Sequence, residues 1–398
     1  MVDFLAQATS LFEYTKALRR DFHMYPELGF REFRTSGIVA KELEALGIEV
    51  TKGVGKTGVV GLLEGAQPGP TLLLRFDMDA LPITEETGAE YASKTPGAMH
   101  ACGHDGHMAI GLAVARMLHQ QREELAGTIK LCFQPSEEGT NGEETGGNEL
   151  MIRDGVLEAP NVDMTLSLHL WNEKPLGWVG VAKGPVMAGA EIFSILITGR
   201  GGHGAIPDRA VDPVVAAAQM VSALQSIVSR NVSPLDTAVV SVTNLHSGTA
   251  FNVIPQEARL EGTIRTFDQG VRQRVLERTD QIAQGIASAM GCQAEVTVKR
   301  ITPALVNNER LAGRVQKTAR QVLSESELDT GYRTMTAEDM AFMQEKVPGC
   351  YFFVGSNDPS RQLDYGHHHP RFDFNEEALV RASALMASAA LDLLQSAE

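Results

Sequence analysis

The run Thr71-Leu72-Leu73-Leu74-Arg75-Phe76 begins after Pro70 and ends against two acidic residues, Asp77 and Asp79. An almost unbroken apolar run between a proline and a pair of charges predicts a strand covered on both faces, since a strand with one wet face would alternate. Its carboxylates then stand at the carboxyl end of the strand. Working outward, Thr128–Gln134 (TIKLCFQ) and Asp163–His169 (DMTLSLH) predict two more buried strands. Between the first two, Gly106–Gln121 places Met108, Leu112, Ala115 and Leu118 at helical spacing, with Asp105 as the expected N-cap. Phe4–His23 and Arg34–Leu46 also carry helical spacing. Helices alternating with covered strands predict an α/β fold with a mainly parallel sheet, whose sites form beyond the carboxyl ends of the strands. Asp77, Asp79, Glu137, Glu138 and His169 are all assigned to such ends.

A chain of 398 residues is too long for one simple core, and two domains are expected. The pattern changes after the Gly- and Pro-containing stretch Val181–Gly189. From there it reads strand Glu191–Thr198, helix Val211–Val228, strands Ala238–Leu245 and Glu257–Thr266, helix Gly270–Met290 and strand Ala294–Arg300. That order, βαββαβ, is the signature of a ferredoxin-like domain. After Pro303 the helix–strand alternation of the N-terminal part resumes. Residues 1–186 and 303–398 are therefore read as one domain, with 187–302 inserted into it.

The formal net charge of −15 argues against a nucleic-acid partner, because phosphate binding needs clustered Lys and Arg. No apolar run approaches the roughly 18–20 residues that span a bilayer. The segment Met1–Tyr14 carries Asp3 and Glu13 and lacks the basic and apolar regions of a signal peptide. Four scattered cysteines, Cys102, Cys132, Cys292 and Cys350, suit a reducing compartment rather than a disulfide framework. A cytoplasmic protein is expected.

The strongest local chemical signal is Cys102-Gly103-His104-Asp105-Gly106-His107. A thiolate and an imidazole two residues apart, on a turn before a helix, can reach one ion, and sulfur with nitrogen favours Zn or a similar first-row metal. His107 is read as a structural residue. Gln134-Pro135-Ser136-Glu137-Glu138-Gly139 follows a covered strand, so one carboxylate is free to bind a metal while its neighbour handles a proton. His169 follows an apolar run, a setting that suits a packed core histidine as well as a ligand. In His367-His368-His369-Pro370 the spacing does not say which imidazole would ligate. The loop Gly199-Arg200-Gly201-Gly202-His203-Gly204 lacks the Lys-Ser/Thr ending of a phosphate-binding loop and presents one imidazole. Asn252 and Arg265 offer an amide and a guanidinium to an anionic substrate.

Taken together these segments resemble the amidohydrolase branch of the aminoacylase and metallo-carboxypeptidase superfamily, the group of hippurate hydrolases and indole-acetyl-amino-acid hydrolases. The resemblance runs almost end to end, through Arg19-Arg20-Asp21-Phe22-His23, Pro26-Glu27-Leu28-Gly29-Phe30, Arg75–Ile83, Cys102–His107, Gln134–Gly139, His169-Leu170-Trp171, Gly201–Gly204, Asn252-Val253-Ile254-Pro255 and His368–Phe374. It implies two divalent metal ions per subunit, Zn, Mn, Co or Ni, held by Cys102, His104, Glu138, His169 and His368. His368 is chosen because the family motif reads His, a variable residue, then Pro. Glu137 takes the place of the general base, and Asp79 that of a carboxylate beside the site which orients a ligand. His203 and Asn252 match residues of a lid and dimerisation domain that reach the scissile carbonyl or the substrate, in some members from the neighbouring subunit. Arg265 matches a residue holding the substrate carboxylate. The chain departs from the family in the longer, acidic loop Thr140–Gly147, which bears on specificity.

The expected reaction is hydrolysis of an N-acyl (acetyl, benzoyl or arylacetyl) amino acid to a carboxylic acid and a free amino acid, by a homodimer or higher homo-oligomer. Two other readings use the same site, a metallo-carboxypeptidase or dipeptidase and an N-acetyl-diaminopimelate-type deacetylase. A third is a non-catalytic metal-binding sensor.

Overall fold

In the computed structural model residues 2–139, 142 and 145–395 are described. Thr140, Asn141, Glu143 and Glu144, the heart of the acidic loop, lie outside them. The chain divides into two compact units, Met1–Gly184 with Val306–Tyr332 and Asp339–Glu398, and Pro185–Leu305 with Arg333–Glu338. Only the tertiary contacts reveal that the short segment Arg333–Glu338 belongs with the second unit.

The first unit carries an eight-stranded mixed sheet. Strands β1 (Glu49–Val54), β2 (Gly58–Glu64), β3 (Gln67–Asp77), β4 (Ala126–Gln134), β5 (Met164–Pro175) and β6 (Trp178–Gly180) are joined by strands Glu327–Asp329 and Gly349–Asn357. Their order is β1-β2-β4-β3-β5, then Gly349–Asn357, β6 and Glu327–Asp329. The centre is parallel, with β3 paired to both β4 and β5 and β5 paired to Gly349–Asn357. Antiparallel pairs occur outside it, β1 with β2, β2 with β4, and Gly349–Asn357 with β6. From Thr71 onward every residue of β3 is buried, as its apolar run predicts. Each of Leu72, Leu73 and Leu74 is fully covered, a gain of roughly 1.5–3 kcal/mol apiece.

Around the sheet pack α1 (Phe4–Ser10), α2 (Phe12–Met24), α3 (Phe33–Glu44) and α4 (His104–His119), with the long helix Glu377–Leu394. The single helix expected over Phe4–His23 is two, interrupted at Leu11. Nearly all of α4 is buried, and it enters close against β5. A Cβ added at Gly106 would lie 2.6 Å from Leu170 Cδ1 and 2.8 Å from the Phe374 ring, so any side chain there would have to displace these core groups.

The second unit has its own core, centred on Phe193, Ile195, Ile197, Met220, Leu260 and Ile264. Strands Gly189–Thr198, Ala238–Ser247, Glu257–Thr266 and Gln293–Thr302 form one antiparallel sheet, with helices Pro213–Leu224 and Gln269–Ala289 in the βαββαβ order. The first strand lies between the third and the fourth, the ferredoxin-like arrangement. Among the described residues no helix is long and apolar enough to cross a membrane.

Candidate functional site

Between Cys102 and His104 stands Gly103, with φ of 89°, a left-handed conformation that strains any side chain. It occupies the N-cap position of α4 without a side-chain bond. Asp105, expected at that cap, lies inside the first turn and is buried. The reason is a stronger partner. Its Oδ2 accepts from Arg19 Nε and from His23 Nδ1, each at 2.8 Å.

Backbone carbonyls set the two buried imidazoles. Nδ1–H of His104 donates to the Asp79 carbonyl at 2.8 Å, and Nδ1–H of His169 to the Leu170 carbonyl at 2.6 Å. In neutral imidazole the other nitrogen then carries the lone pair. Nε2 of His169 lies 3.5 Å from Cys102 Sγ. Nε2 of His104 is buried without a hydrogen-bond partner, 3.9 Å from Glu138 Oε1. His169 sits within β5, which runs on to Pro175, rather than at a strand end.

The acidic pair follows β4 on a loop whose Ser136 has φ of 48°. Asp79 grips this loop, its Oδ1 accepting from Glu137 N at 2.9 Å and its Oδ2 from Glu138 N at 3.1 Å. Glu138 Oε1 is 3.2 Å from Nε2 of His368. His368 itself is left-handed, with φ of 65°, and its N–H donates to the Ala101 carbonyl at 2.8 Å. Such strained non-glycine backbone costs of order 1–3 kcal/mol and persists only where its surroundings impose it. The neighbouring imidazoles are held differently, and Nδ1 of His367 is buried without a hydrogen-bond partner among the described residues. Nε2 of His367 accepts from Asn172 N at 3.1 Å, whereas His369 stacks on Tyr365 at 4.5 Å.

Ligand atoms of Cys102, Glu138 and His368 all lie within 4.8 Å of one another, as do those of His104, Glu137 and Glu138, and of Cys102, His169 and His367. The surroundings favour a cation. Burial, then Glu138, Glu137 and Asp77, hold the Cys102 thiol well above its usual range. Burial opposes a charge on His104, but Asp77, Asp79 and Glu138 outweigh it and raise its pKa to about 10. His169 is kept neutral by burial and by His107 and His367. Both nitrogens of His107 are occupied, Nδ1–H donating to Asp77 Oδ1 at 2.6 Å and Nε2 accepting from Leu170 N at 2.9 Å.

In the second unit His203 is paired with Val253, and Gly204 N donates to the Asn252 carbonyl at 2.8 Å. His203 and Asn252 are thus neighbours, both exposed. Nδ1 of His203 accepts from Ala205 N at 3.0 Å, so in the neutral ring Nε2 carries the proton. Arg265 lies at the far end of strand Glu257–Thr266. Its guanidinium meets Thr263 Oγ1 and the Ile264 carbonyl, with no carboxylate bonded to it among the described residues. Burial lowers its pKa and Glu191 acts against that.

Two sets of residues around this cluster stand in the family motifs but had no role assigned from the sequence. Arg19 is completely buried, bonded to Asp105, Asp373 and Glu376. Arg75 is buried as well, reaching Gln134 at 2.8 Å, Asp77 at 2.7 Å and Asp339 at 2.9 Å. A signal existed for Arg19, because it shares the buried stripe of α2 with Thr15, Phe22 and His23. A charge on an apolar helix face requires a buried partner.

Known proteins carry the same pattern. The family model for Peptidase family M20/M25/M40 matches residues 73–392. N-acetylcysteine deacetylase of Bacillus subtilis (strain 168) is 40% identical over 386 residues, covering 95% of this chain and 96% of its own. IAA-amino acid hydrolase ILR1-like 2 of Arabidopsis thaliana is 38% identical over 394 residues, covering 98% and 87%. The solved structure of the YXEP protein of Bacillus subtilis, described as a dinuclear metal binding peptidase from the M20 family, has a TM-score of 0.85 at 35% identity. It covers 98% of this chain and 100% of that one. The chain therefore belongs to the M20/M25/M40 peptidase family, in its amidohydrolase branch, and is an enzyme acting on amide bonds.

Proposed function

We propose that the protein hydrolyses N-acyl amino acids with two divalent metal ions, held by Cys102, His104, Glu138, His169 and His368, and with Glu137 as general base. The observation that carries this reading is the setting of the two imidazoles. His104 and His169 each give Nδ1–H to a carbonyl, which leaves Nε2 to a neighbourhood of thiol and carboxylate. Sulfur, nitrogen and oxygen donors together suit Zn, Mn, Co or Ni. Divalent ions bound there would lower the pKa of a coordinated water toward ~7 and polarise the amide carbonyl.

The chain's own groups supply the remaining roles. Glu137 takes the proton of the attacking water and delivers it to the leaving amine. Asp79 fixes the loop that carries both glutamates. His203 Nε2–H is a donor for the developing oxyanion, and Asn252 beside it contacts the substrate. Arg265, half-buried and bonded to no carboxylate among the described residues, receives the substrate carboxylate. Acetyl, benzoyl and arylacetyl amino acids are the substrate class, in keeping with the relatives named for N-acetylcysteine and IAA-amino acids. We place the enzyme in the cytoplasm, where four buried free cysteines are stable. We further propose a homodimer built through the second unit, whose outer strands expose Leu245 and Val298.

Glu137→Gln tests the reading. It is expected to retain its metal by elemental analysis and to lose about 10³-fold or more in kcat on an N-acyl amino acid panel that includes dipeptides as controls. Turnover within tenfold of wild type refutes the assignment.

A further inference from the structure

We propose that Glu32 is a positioning residue for the Glu137–Glu138 pair, acting through the backbone of Ser136; the proposal rests on Glu137 being the general base. Three consecutive backbone N–H groups end on buried carboxylates. Ser136 N donates to Glu32 Oε1 at 2.9 Å, and the next two donate to Asp79. Glu32 is completely buried. Its other oxygen accepts from Thr57 Oγ1 at 2.5 Å, so the carboxylate is held from both sides.

Its place in the chain makes this use unusual. Glu32 stands at the N-cap of α3, yet its side chain makes no capping bond to that helix. Glu27 takes that part, accepting from Arg34 N at 3.1 Å and Thr35 N at 2.8 Å. A carboxylate is costly to bury unless its hydrogen bonds are made, and here the backbone donor it meets belongs to the loop bearing both glutamates. That loop also needs holding, because Ser136 is left-handed at φ of 48° and would relax toward ordinary backbone if released. Hydrogen bonds to carboxyl oxygens oppose that relaxation at all three residues, from Glu32 at Ser136 and from Asp79 at Glu137 and Glu138. Asp79 sets the height of the two glutamates, and Glu32 fixes the turn through which they leave β4.

A displacement of about 1 Å in a catalytic group can cost ~10²-fold in rate. Glu32→Leu, which keeps the bulk and loses both acceptors, is expected to lower kcat by roughly 10- to 100-fold, with KM and metal per subunit unchanged. Glu32→Gln keeps an oxygen for Ser136 N and is expected within about threefold of wild type. All variants are measured as metal-reconstituted full-length protein on the wild type's best N-acyl amino acid. Equal kcat in Glu32→Leu and wild type overturns the proposal. So does a loss confined to metal content or folded fraction, with turnover per loaded molecule intact, or a Gln variant as impaired as Leu. If Glu32→Leu does not fold, Thr57→Val carries the test, with a several-fold fall in kcat expected and an unchanged kcat overturning it. Glu137→Gln in the same assay separates the two claims. An active Glu137→Gln overturns both, whereas an inactive one beside a fully active Glu32→Leu removes only the role of Glu32.

Discussion

Arg19→Met is expected to destabilise the first unit by about 3 kcal/mol, a value assembled from its contacts. The guanidinium is fully buried and bonds Asp105 Oδ2 at 2.8 Å, Asp373 Oδ1 at 2.7 Å and Glu376 Oε1 at 3.3 Å. It lies between the rings of Tyr91 and Phe374, at 4.8 and 4.3 Å. Removing one partner of a buried ion pair costs about 3–5 kcal/mol, because a charge is left without compensation. Each acid here retains a second partner, Asp105 in His23 at 2.8 Å, Asp373 in the Tyr91 hydroxyl at 2.7 Å, and Glu376 in Arg20 at 2.8 and 2.7 Å. That residual satisfaction selects the lower end of the range. At roughly 2–4 °C per kcal/mol for a unit of this size, Tm falls by about 6–12 °C. Arg19→Lys restores one ion pair and falls in between. Differential scanning calorimetry on metal-loaded and chelator-treated protein reads the effect. A fall below about 2 °C, or a rise, refutes the reasoning, since an apolar replacement is neutral only when the opposing acids are removed with it.

Cys102→Ser is expected to weaken metal retention at least tenfold, because the hydroxyl neither ionises nor supplies soft sulfur; equal metal content after dialysis would refute the ligand assignment. Arg265→Met is expected to raise KM for N-acyl amino acids about 10- to 100-fold while leaving it unchanged for the corresponding amino-acid amides, and a parallel change in both would exclude the carboxylate contact. Burial lowers the pKa of His23, but Asp105, aided by Glu85, overrides this and raises it from 6.5 to about 9. The folded state therefore binds this proton more tightly, so the resulting stability, of order 3 kcal/mol, is complete below pH 6.5 and is lost as pH rises through 9. His23→Gln is expected to flatten that decline in Tm between pH 6.5 and 9, and an unchanged slope would count against it.

Much of the molecule was legible because its signals are local. A covered strand needs a continuous apolar run and a buried helix needs 3.6-residue spacing, so β3, β4 and α4 could be read from a few residues each. The Cys102–His104 turn was visible for a related reason, since a thiol and an imidazole two residues apart have few packing uses, whereas Glu138, His169 and His368 received their roles only from the resemblance of whole motifs to the family. Other features have no local signature. The engagement of His367 with Asn172, and the turning of His368 toward Glu138, follow from a strand 195 residues away in sequence for the first and a left-handed backbone for the second. Asp105 looked like a helix cap, and the cations that claim it, Arg19 and His23, come from a helix 86 and 82 residues nearer the N-terminus. Glu32 and Ser136, separated by 104 positions, are brought together only when α3 and β4 pack in the same unit. Backbone periodicity and residue chemistry are properties of a segment and survive in the sequence. A buried charge receives its partner from whichever segment the core places beside it, and that choice is made only when the chain has folded.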